Sequence, residues 1–521
     1  MAGHVMIVPA HLHAAARLHA DRPLAICGDE TRSYAEIEQR SNRLANALLA
    51  AGLSPGDRVG AWLENSIRCI ELDFALAKAG LVRVSLNPML TAREAQFILE
   101  DAEAKAFFYD AAFDAGVNEL RPALASQRRV VRVDAGRADY EALLGEGGAQ
   151  APGVRFDAEH LYCLFYTSGT TGRPKGVMLS HRAILQVSYN LSMETGPWAT
   201  GEKILLMQPL SHGAGFFVLP YVFKGGACVI MPKFDAAEVL RLAALYRIET
   251  IKLIPTMLQR MLRVPGVESA KLPHLRAMIY GASPMPHEPL RRAIEVFGPG
   301  KLIQIYGQSE CPATLTILPA DEHRLDNPHP ERLTSAGRAW TGVEIRIEDD
   351  AGREVADGTI GEVVLRGPHL MSGYWKRPEL TAQTVRDGWL RTRDVGRRDA
   401  AGMIYLLGRK DEMIISGGYN IAPREIEDVL YQHAAVQEAA VVGEADAEWG
   451  QAVVAYIALR DPGADLGAIL EFAKQALGFK RPKRLYVLDE LPKSAVGKIQ
   501  KSALKPASAL RVSETTAAAG K

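Results

Sequence analysis

The stretch Tyr166-Thr167-Ser168-Gly169-Thr170-Thr171-Gly172-Arg173-Pro174-Lys175-Gly176 constrains this chain more than any other. It follows a short apolar run of strand type, Leu161 to Phe165, and leads into a segment with helical character. Its glycines let backbone amides approach a polyphosphate, the hydroxyls of Thr167, Ser168, Thr170 and Thr171 add donors, and Lys175 supplies a point charge. The Gly-Lys-Ser/Thr type of phosphate loop is excluded. Lys175 stands between Pro174 and Gly176, with no hydroxyl after it for a magnesium ion.

At 521 residues the chain exceeds what one ordinary core can organise, so two or more domains are expected. The 61 basic residues balance 61 acidic ones, which argues against nucleic acid or an anionic membrane as the main partner. The five cysteines, Cys27, Cys69, Cys163, Cys228 and Cys311, are scattered without metal-ligand spacing, so buried thiols in a reducing compartment are expected rather than disulfides or zinc. The N-terminus lacks a basic region followed by a long apolar core, and no apolar run approaches the roughly 18 residues of a spanning helix. The expected location is the cytoplasm.

Ser33-Tyr34-Ala35-Glu36 is a capping box ahead of apolar Tyr34, Ile37, Leu44 and Leu48, with Gly52 where the helix should stop. Strand-like and helical stretches then alternate: Arg58 to Leu63, Ile67 to Ala79, Val82 to Leu86, Ala92 to Glu100, Ala106 to Tyr109. Alternation of this kind builds βαβ units and parallel sheets. Glycine-rich hairpins from Gly337 to Gly373, with Val343, Ile345 and Ile347 alternating against charged neighbours, indicate a β-rich subdomain. The expected fold is α/β: a large N-terminal domain (1–409) of two parallel-rich sheets plus that subdomain, then a small α+β domain (410–505). In the latter we expect a helix from Pro423 to His433, strands Ala439 to Gly443 and Ala452 to Leu459, a helix near Leu466 to Leu477 and a strand Arg484 to Leu488. The Ala/Ser/Thr-rich tail, 506–521, is expected to be disordered.

Several further strings stand in order along the chain. They are Leu210-Ser211-His212-Gly213-Ala214-Gly215, Tyr280-Gly281-Ala282-Ser283-Pro284, Tyr306-Gly307-Gln308-Ser309-Glu310 and Thr392-Arg393-Asp394. Gly408-Arg409-Lys410-Asp411-Glu412, the run Met413 to Glu427 with Gly417-Gly418-Tyr419, and Leu491-Pro492-Lys493-Ser494-Ala495-Val496-Gly497-Lys498 follow. Together with the phosphate loop they cover roughly residues 30 to 505 and resemble the adenylate-forming superfamily: acyl-CoA synthetases, peptide-synthetase adenylation domains and firefly-type luciferases.

The resemblance implies that a carboxylate attacks the α-phosphate of ATP, giving acyl-AMP and pyrophosphate, and that a thiol then displaces AMP. It implies ATP contacts from Thr167, Ser168, Gly169, Thr170, Thr171, Gly172 and Lys175, and an adenine-binding turn at Gly281, Ala282 and Ser283. Tyr306 belongs to the same site, Asp394 grips the ribose, and Arg409 contacts ribose or phosphate. Ser309 keeps, in place of the usual Thr, the hydroxyl for the α-phosphate, and Glu310 becomes the Mg2+ ligand. Arg393 departs from the usual glycine of Thr-Gly-Asp. Lys498 is the implied catalytic cation of adenylation, and Asp411 the hinge about which the small domain turns between steps.

For the acyl pocket the resemblance implies His212, Gly213 and Gly307, the glycine leaving open what a tryptophan would plug. Gly417 and Gly418 would line a pantetheine tunnel, while Trp449, Phe479 and Arg481 would hold the nucleotide part of CoA, as in bacterial aryl-CoA ligases. The loop Ser211 to Phe216 has no carboxylate for an α-amino group, which disfavours amino acids, and Ile305 with the neutral loop around Ala214 offers no cation for a second carboxylate. The expected substrate is an apolar monocarboxylate, fatty or aromatic. Loading of a carrier-protein phosphopantetheine is the first alternative; an ATPase switch and a luciferase-like oxygenase are more distant ones. The partners so implied are ATP, CoA and a small carboxylic acid, with a homodimer open.

Overall fold

The alternating elements assemble into two parallel-rich sheets, a β-rich subdomain and a smaller C-terminal sheet. The computed structural model of the chain describes residues 7–124, 127, 129–134, 138–167, 174–447, 449–493 and 499–514. One sheet runs Gly373–Tyr374, Lys175–Ser180, Leu161–Thr167, Val82–Leu86, Arg58–Trp62, Ala104–Tyr109, Arg129–Arg132, parallel from Leu161–Thr167 onward. The other is centred on Leu302–Gln308, Ala277–Gly281, Thr250–Leu253, Lys203–Leu206, Ala227–Ile230 and Pro23–Cys27, all parallel, with antiparallel strands at both edges.

Helix Tyr34–Ala50 opens on the expected box: the Ser33 hydroxyl accepts from Glu36 N while the Glu36 carboxylate accepts from Ser33 N at 2.7 Å. Helix Ile67–Lys78 lies between two packed layers and is therefore buried on every side. Its Ile67, Ile70 and Phe74 join the core beneath Leu206, Ile279 and Ile305, while Leu72 and Leu76 join Val59, Ala61 and Phe108. The one carboxylate this helix buries completely, Glu71, accepts from Arg40 Nε at 2.7 Å and from the Tyr140 hydroxyl at 2.9 Å. Paired in this way, a buried charge is tolerable.

The segment after the phosphate loop departs from expectation. Lys175–Ser180 is a strand antiparallel to Leu161–Thr167, with Thr167 opposite Lys175, and the helix begins only at His181, after the Ser180 cap. Val177 and Leu179 bury on one face of this strand and Met178 packs on the other. A strand apolar on both faces lacks the alternation that would separate it from a helix in sequence. The loop is thus held at both ends by one hairpin.

The β-rich subdomain is a sheet of Glu344–Glu348, Gly361–Arg366, Trp389–Arg398 and Val385–Arg386, with Ile404–Arg409 paired to Trp389–Arg398. The 3-10 turn Lys410–Glu412 leads from it to the C-terminal sheet, in which Gly450–Leu459 pairs with Val436–Asp446, Ile414–Ser416 and Arg484–Leu488. Helix Pro423–Gln432, entered through proline at its first turn, packs on this sheet with Leu466–Leu477. The tail is ordered further than expected. Arg511–Glu514 adds an antiparallel strand to Arg484–Leu488, Leu510 N donates to Val487 O at 2.8 Å, and the Arg511 guanidinium donates to the carbonyls of Pro462 and Ala464. Composition hid a four-residue strand that covers an otherwise open sheet edge. Among the described residues no helix is long and apolar enough to cross a membrane.

Candidate active site

The end of strand Leu302–Gln308 meets the hairpin that flanks the phosphate loop through Glu310, and meets strand Trp389–Arg398 through Asp394. Of the loop, Thr167 and Lys175 are described, whereas Ser168, Gly169, Thr170, Thr171 and Gly172 lie outside the described residues. The Thr167 hydroxyl is buried at the strand end with no hydrogen-bond partner among the described residues. Lys175 Nζ reaches 3.1 Å from Glu310 Oε1 and 2.7 Å from the Tyr374 hydroxyl, over whose ring it sits at 4.1 Å. The same hydroxyl donates to Glu310 Oε1 at 2.6 Å. Burial, then Glu310, raises the Tyr374 pKa, so it stays protonated and can donate.

Sequence reasoning missed Tyr374. It lies in the two-residue strand Gly373–Tyr374, which no periodicity can reveal, and pairs opposite Val177. Its hydroxyl brings the phosphate-loop lysine and the carboxylate of Glu310 to a common point. Glu310 offers a single hard carboxylate, and no group of three or more acidic, His or Cys side chains able to hold a metal occurs among the described residues. That donor set fits magnesium carried on a nucleotide, which takes its other ligands from phosphate and water. Ser309 stands half-buried in the turn just before it.

Asp394 is the second focus. Its Oδ2 accepts from the Tyr306 hydroxyl in a very short contact and from Gln308 Nε2 at 2.7 Å, and its Oδ1 accepts from Arg409 Nη1 at 3.2 Å. Strand Leu302–Gln308 thus sends two side chains and Ile404–Arg409 one to a carboxylate carried by Trp389–Arg398. Gln308, passed over as the variable position of its motif, is part of that clasp.

Gly281 ends the central strand Ala277–Gly281, and a Cβ on it would stand 2.1 Å from the Ile305 carbonyl oxygen. Close passage of the neighbouring strand requires glycine here. Ala282 follows at φ +74°, exposed, and turns the chain toward half-buried Ser283. Tyr280 points the other way, into the core, with its hydroxyl between His323 Nε2 at 2.8 Å and Gln304 Oε1 at 3.0 Å. Gly307 likewise lets strand Cys311–Leu318 approach, since its Cβ would lie 2.6 Å from Ala313 N.

Around His212, expected in the acyl pocket, aromatic rings gather. Its Nδ1 lies 3.0 Å from the Ser211 hydroxyl, and its ring meets Phe165 edge-on at 4.9 Å. Phe165 in turn stacks with Phe216 at 5.9 Å. Burial, and then Arg83, pull the His212 pKa down to about 4, so the imidazole is neutral at physiological pH. Gly213 is exposed beside it. On the same face of the sheet, and unforeseen, stands buried Lys252, its Nζ 5.7 Å from the Phe217 ring.

Asp411, the expected hinge residue, is bound by Arg393, through Nε at 3.1 Å and a shorter contact through Nη2. Arg393 adopts φ +62°, the left-handed conformation that glycine takes without cost. The departure at this position therefore leaves the turn intact and adds an ion pair. On the small domain, Gly417 turns at φ +58° directly beneath Trp449, whose Cε3 would lie 2.9 Å from a Cβ there; Gly418 faces open space. Trp449 carries Lys483 Nζ at 4.6 Å from its ring, and Phe479 packs against Tyr419 at 4.9 Å. Trp449, Phe479 and Tyr419 are each more than a third exposed, an aromatic surface to which sequence reasoning had not assigned Tyr419. Arg481 folds back so that Nη1 donates to the Gly478 carbonyl at 3.2 Å. Lys498 lies outside the described residues. Nearby Lys501 pairs with Glu427 at 2.8 Å and Glu412 at 3.3 Å, and Arg424 donates to the Met285 carbonyl at 3.4 Å, tying the two parts of the chain.

Residues 12–375 match the AMP-binding enzyme family and residues 425–498 the AMP-binding enzyme C-terminal domain. An indoleacetate–CoA ligase of Aromatoleum aromaticum is 37% identical over 481 residues, spanning 90% of this chain and 92% of its own. A medium/long-chain-fatty-acid–CoA ligase of Mycobacterium tuberculosis is 32% identical over 526 residues, 96% of this chain and 91% of its own. Among solved structures, ATP-bound MatB from Rhodopseudomonas palustris superposes with a TM-score of 0.85 at 30% identity, covering 95% of this chain and 98% of that one. The chain therefore belongs to the AMP-binding enzyme family, the adenylate-forming superfamily, and is an acid–thiol ligase by kind.

Proposed function

We propose that the chain is an AMP-forming acyl-CoA synthetase: carboxylic acid, ATP and CoA give acyl-CoA, AMP and pyrophosphate through an enzyme-held acyl-adenylate. The observation that carries the reading is the pairing of two clasps joined by the turn from Gln308 to Glu310. Asp394, held by Tyr306, Gln308 and Arg409, suits the two ribose hydroxyls, while Lys175, Tyr374 and Glu310 suit the phosphates.

The first step builds negative charge on the α-phosphate and the departing pyrophosphate, so fixed donors and cations matter more than an acid or base. Lys175 moves from Glu310 to the β- and γ-phosphates when nucleotide arrives. That frees the Glu310 carboxylate, which would hold Mg2+ and thereby let the metal neutralise phosphate charge. Ser309 holds the α-phosphate and Lys498 supplies the cation that adenylation needs. The neutral His212 ring closes the acyl pocket beside the reacting carboxylate without adding a charge that would compete for it.

For the second step the small domain turns about Asp411, between residues 1–409 and those that follow, and presents the Gly417-Gly418 turn to the thiol. Trp449, Phe479 and Arg481 receive the nucleotide part of CoA, with Tyr419 completing the aromatic surface. The body of the acid lies against Phe165, Phe216 and Ile305, which supports an acyl group with a mainly apolar body.

The test is AMP release from ATP, with and without CoA, across a panel of aliphatic and aromatic monocarboxylates. CoA-dependent turnover of one class supports the reading and identifies the acid. Pyrophosphate release that CoA fails to accelerate, with acyl-AMP retained on the protein, would point to a carrier-protein acceptor instead.

A further inference from the structure

Lys252 occupies a strand position where every neighbour calls for an apolar residue. It is the third residue of Thr250–Leu253, in the middle of the nine-stranded sheet, in register with Leu206 on one side and Ile279 on the other. Its side chain is only 4% exposed. The Nζ donates to the Leu253 carbonyl at 2.9 Å, and no ion pair to it occurs among the described residues. Burial alone, with no nearby charge contributing, pulls its pKa down to about 7. An ammonium without a counter-charge in such a place is destabilising, and a leucine or methionine would fill the space without that cost.

The placement says what the lysine could be for. Ile251 and Leu253 point to the opposite face, into the core with Met278 and Tyr280, whereas Lys252 shares its face with Leu206, Ile279, Ile303 and Ile305. That face is covered by the turn Gly215–Phe217, and the Phe217 ring lies over the ammonium. The next residue back, Phe216, stacks on Phe165, which the His212 ring abuts. Because Ile279 is in register with Ile303, Lys252 stands one row of side chains below Ile305 and two below Gly307, about 7 Å per row. An acid with its carboxylate at the strand ends would extend its far end toward this lysine.

We propose that Lys252 is the specificity-determining residue at the deep end of the acyl pocket, selecting acids whose apolar body ends in a hydrogen-bond-accepting or anionic oxygen group. This rests on the acyl-CoA synthetase reading. It also replaces the expectation that no cation faces a second polar group, which arose because a lysine inside an apolar strand run reads as a surface residue in sequence.

The experiment compares matched acids on the full-length enzyme by CoA-dependent AMP release: octanoate with octanedioate and 7-oxooctanoate, and 3-phenylpropanoate with 3-(4-carboxyphenyl)propanoate. The expected kcat/KM favours the oxygen-terminated member of at least one pair by about 10- to 100-fold, the range of a charge-assisted hydrogen bond. Lys252→Met should reverse that preference while leaving turnover of the apolar member equal or higher. Preference of the wild-type enzyme for the apolar member in every pair would overturn the proposal, and that comparison stands even if the variant does not fold. Equal loss of both members in a folded Lys252→Met enzyme would overturn it too, as the mark of a merely structural lysine. If no acid yields CoA-dependent AMP, the synthetase reading itself fails, and the assignment of Lys252 with it.

Discussion

Arg393 sets two effects of similar size against each other, and two substitutions separate them. At φ +62° a non-glycine residue carries roughly 1–2 kcal/mol of backbone strain. Its guanidinium pairs with Asp411, but the two side chains are 54% and 41% exposed, so the pair contributes only about 0.2–1 kcal/mol. Arg393→Ala keeps the strain and loses the pair, which should destabilise the protein by up to about 1 kcal/mol. Arg393→Gly loses the pair but relieves the strain, so it should range from neutral to about 1.5 kcal/mol more stable than wild type. Urea unfolding of the three proteins, followed by circular dichroism, measures both differences. The functional consequence is shared, because either substitution releases Asp411: the CoA-dependent step should change alike in both variants, and the adenylation step in neither. An Arg393→Gly protein less stable than Arg393→Ala would refute the assignment of strain. Unequal effects on the thioester step would refute the ion pair as the restraint on the hinge.

Removing the Tyr374 hydroxyl by Tyr374→Phe should lower kcat/KM for ATP by about 10-fold in pyrophosphate exchange, because Lys175 and Glu310 lose the group that positions both; an unchanged value would show that the tyrosine only fills space. Lys498→Ala should slow adenylation by about 100- to 1,000-fold while thioester formation from supplied acyl-AMP persists. Equal loss of both half-reactions would remove that lysine from its role. Acid should destabilise the fold through three fully buried histidines, His181, His323 and His369, whose pKa values burial lowers to about 3, 4 and 4. The unfolded chain takes up protons below about pH 6.5 where the folded chain does not, so this stability is complete above pH 6.5 and is lost as pH falls toward 4, by up to about 3 kcal/mol for each residue. Urea midpoints that stay level between pH 7 and 5 would contradict it.

What could be read without coordinates was whatever depends on neighbours along the chain. The capping box at Ser33, the βαβ alternation and the ordered motifs from Tyr166 to Lys498 were all legible, because phosphate binding and turn formation are done by consecutive residues. The same locality explains the misses. A strand of two residues at Gly373–Tyr374 has no period, a strand buried on both faces at Lys175–Ser180 resembles the start of a helix, and Arg511–Glu514 forms only because Arg484–Leu488 leaves an edge to pair with. Gly281 and Gly307 announced a close approach, but only the packed sheet shows that the approaching groups are the backbones of Ile305 and Ala313. The charge assignments were furthest from view. That Lys175 meets Glu310 across 135 positions of sequence, that Arg393 holds Asp411, and that Lys252 lies beneath Phe217 without a counter-ion among the described residues all follow from how sheets and turns stack. The residue types and their local spacing were determined by the sequence itself. Which charges are neutralised, and which is left buried for a ligand to meet, was decided by tertiary structure, because electrostatic energy depends on distance and burial rather than on order along the chain.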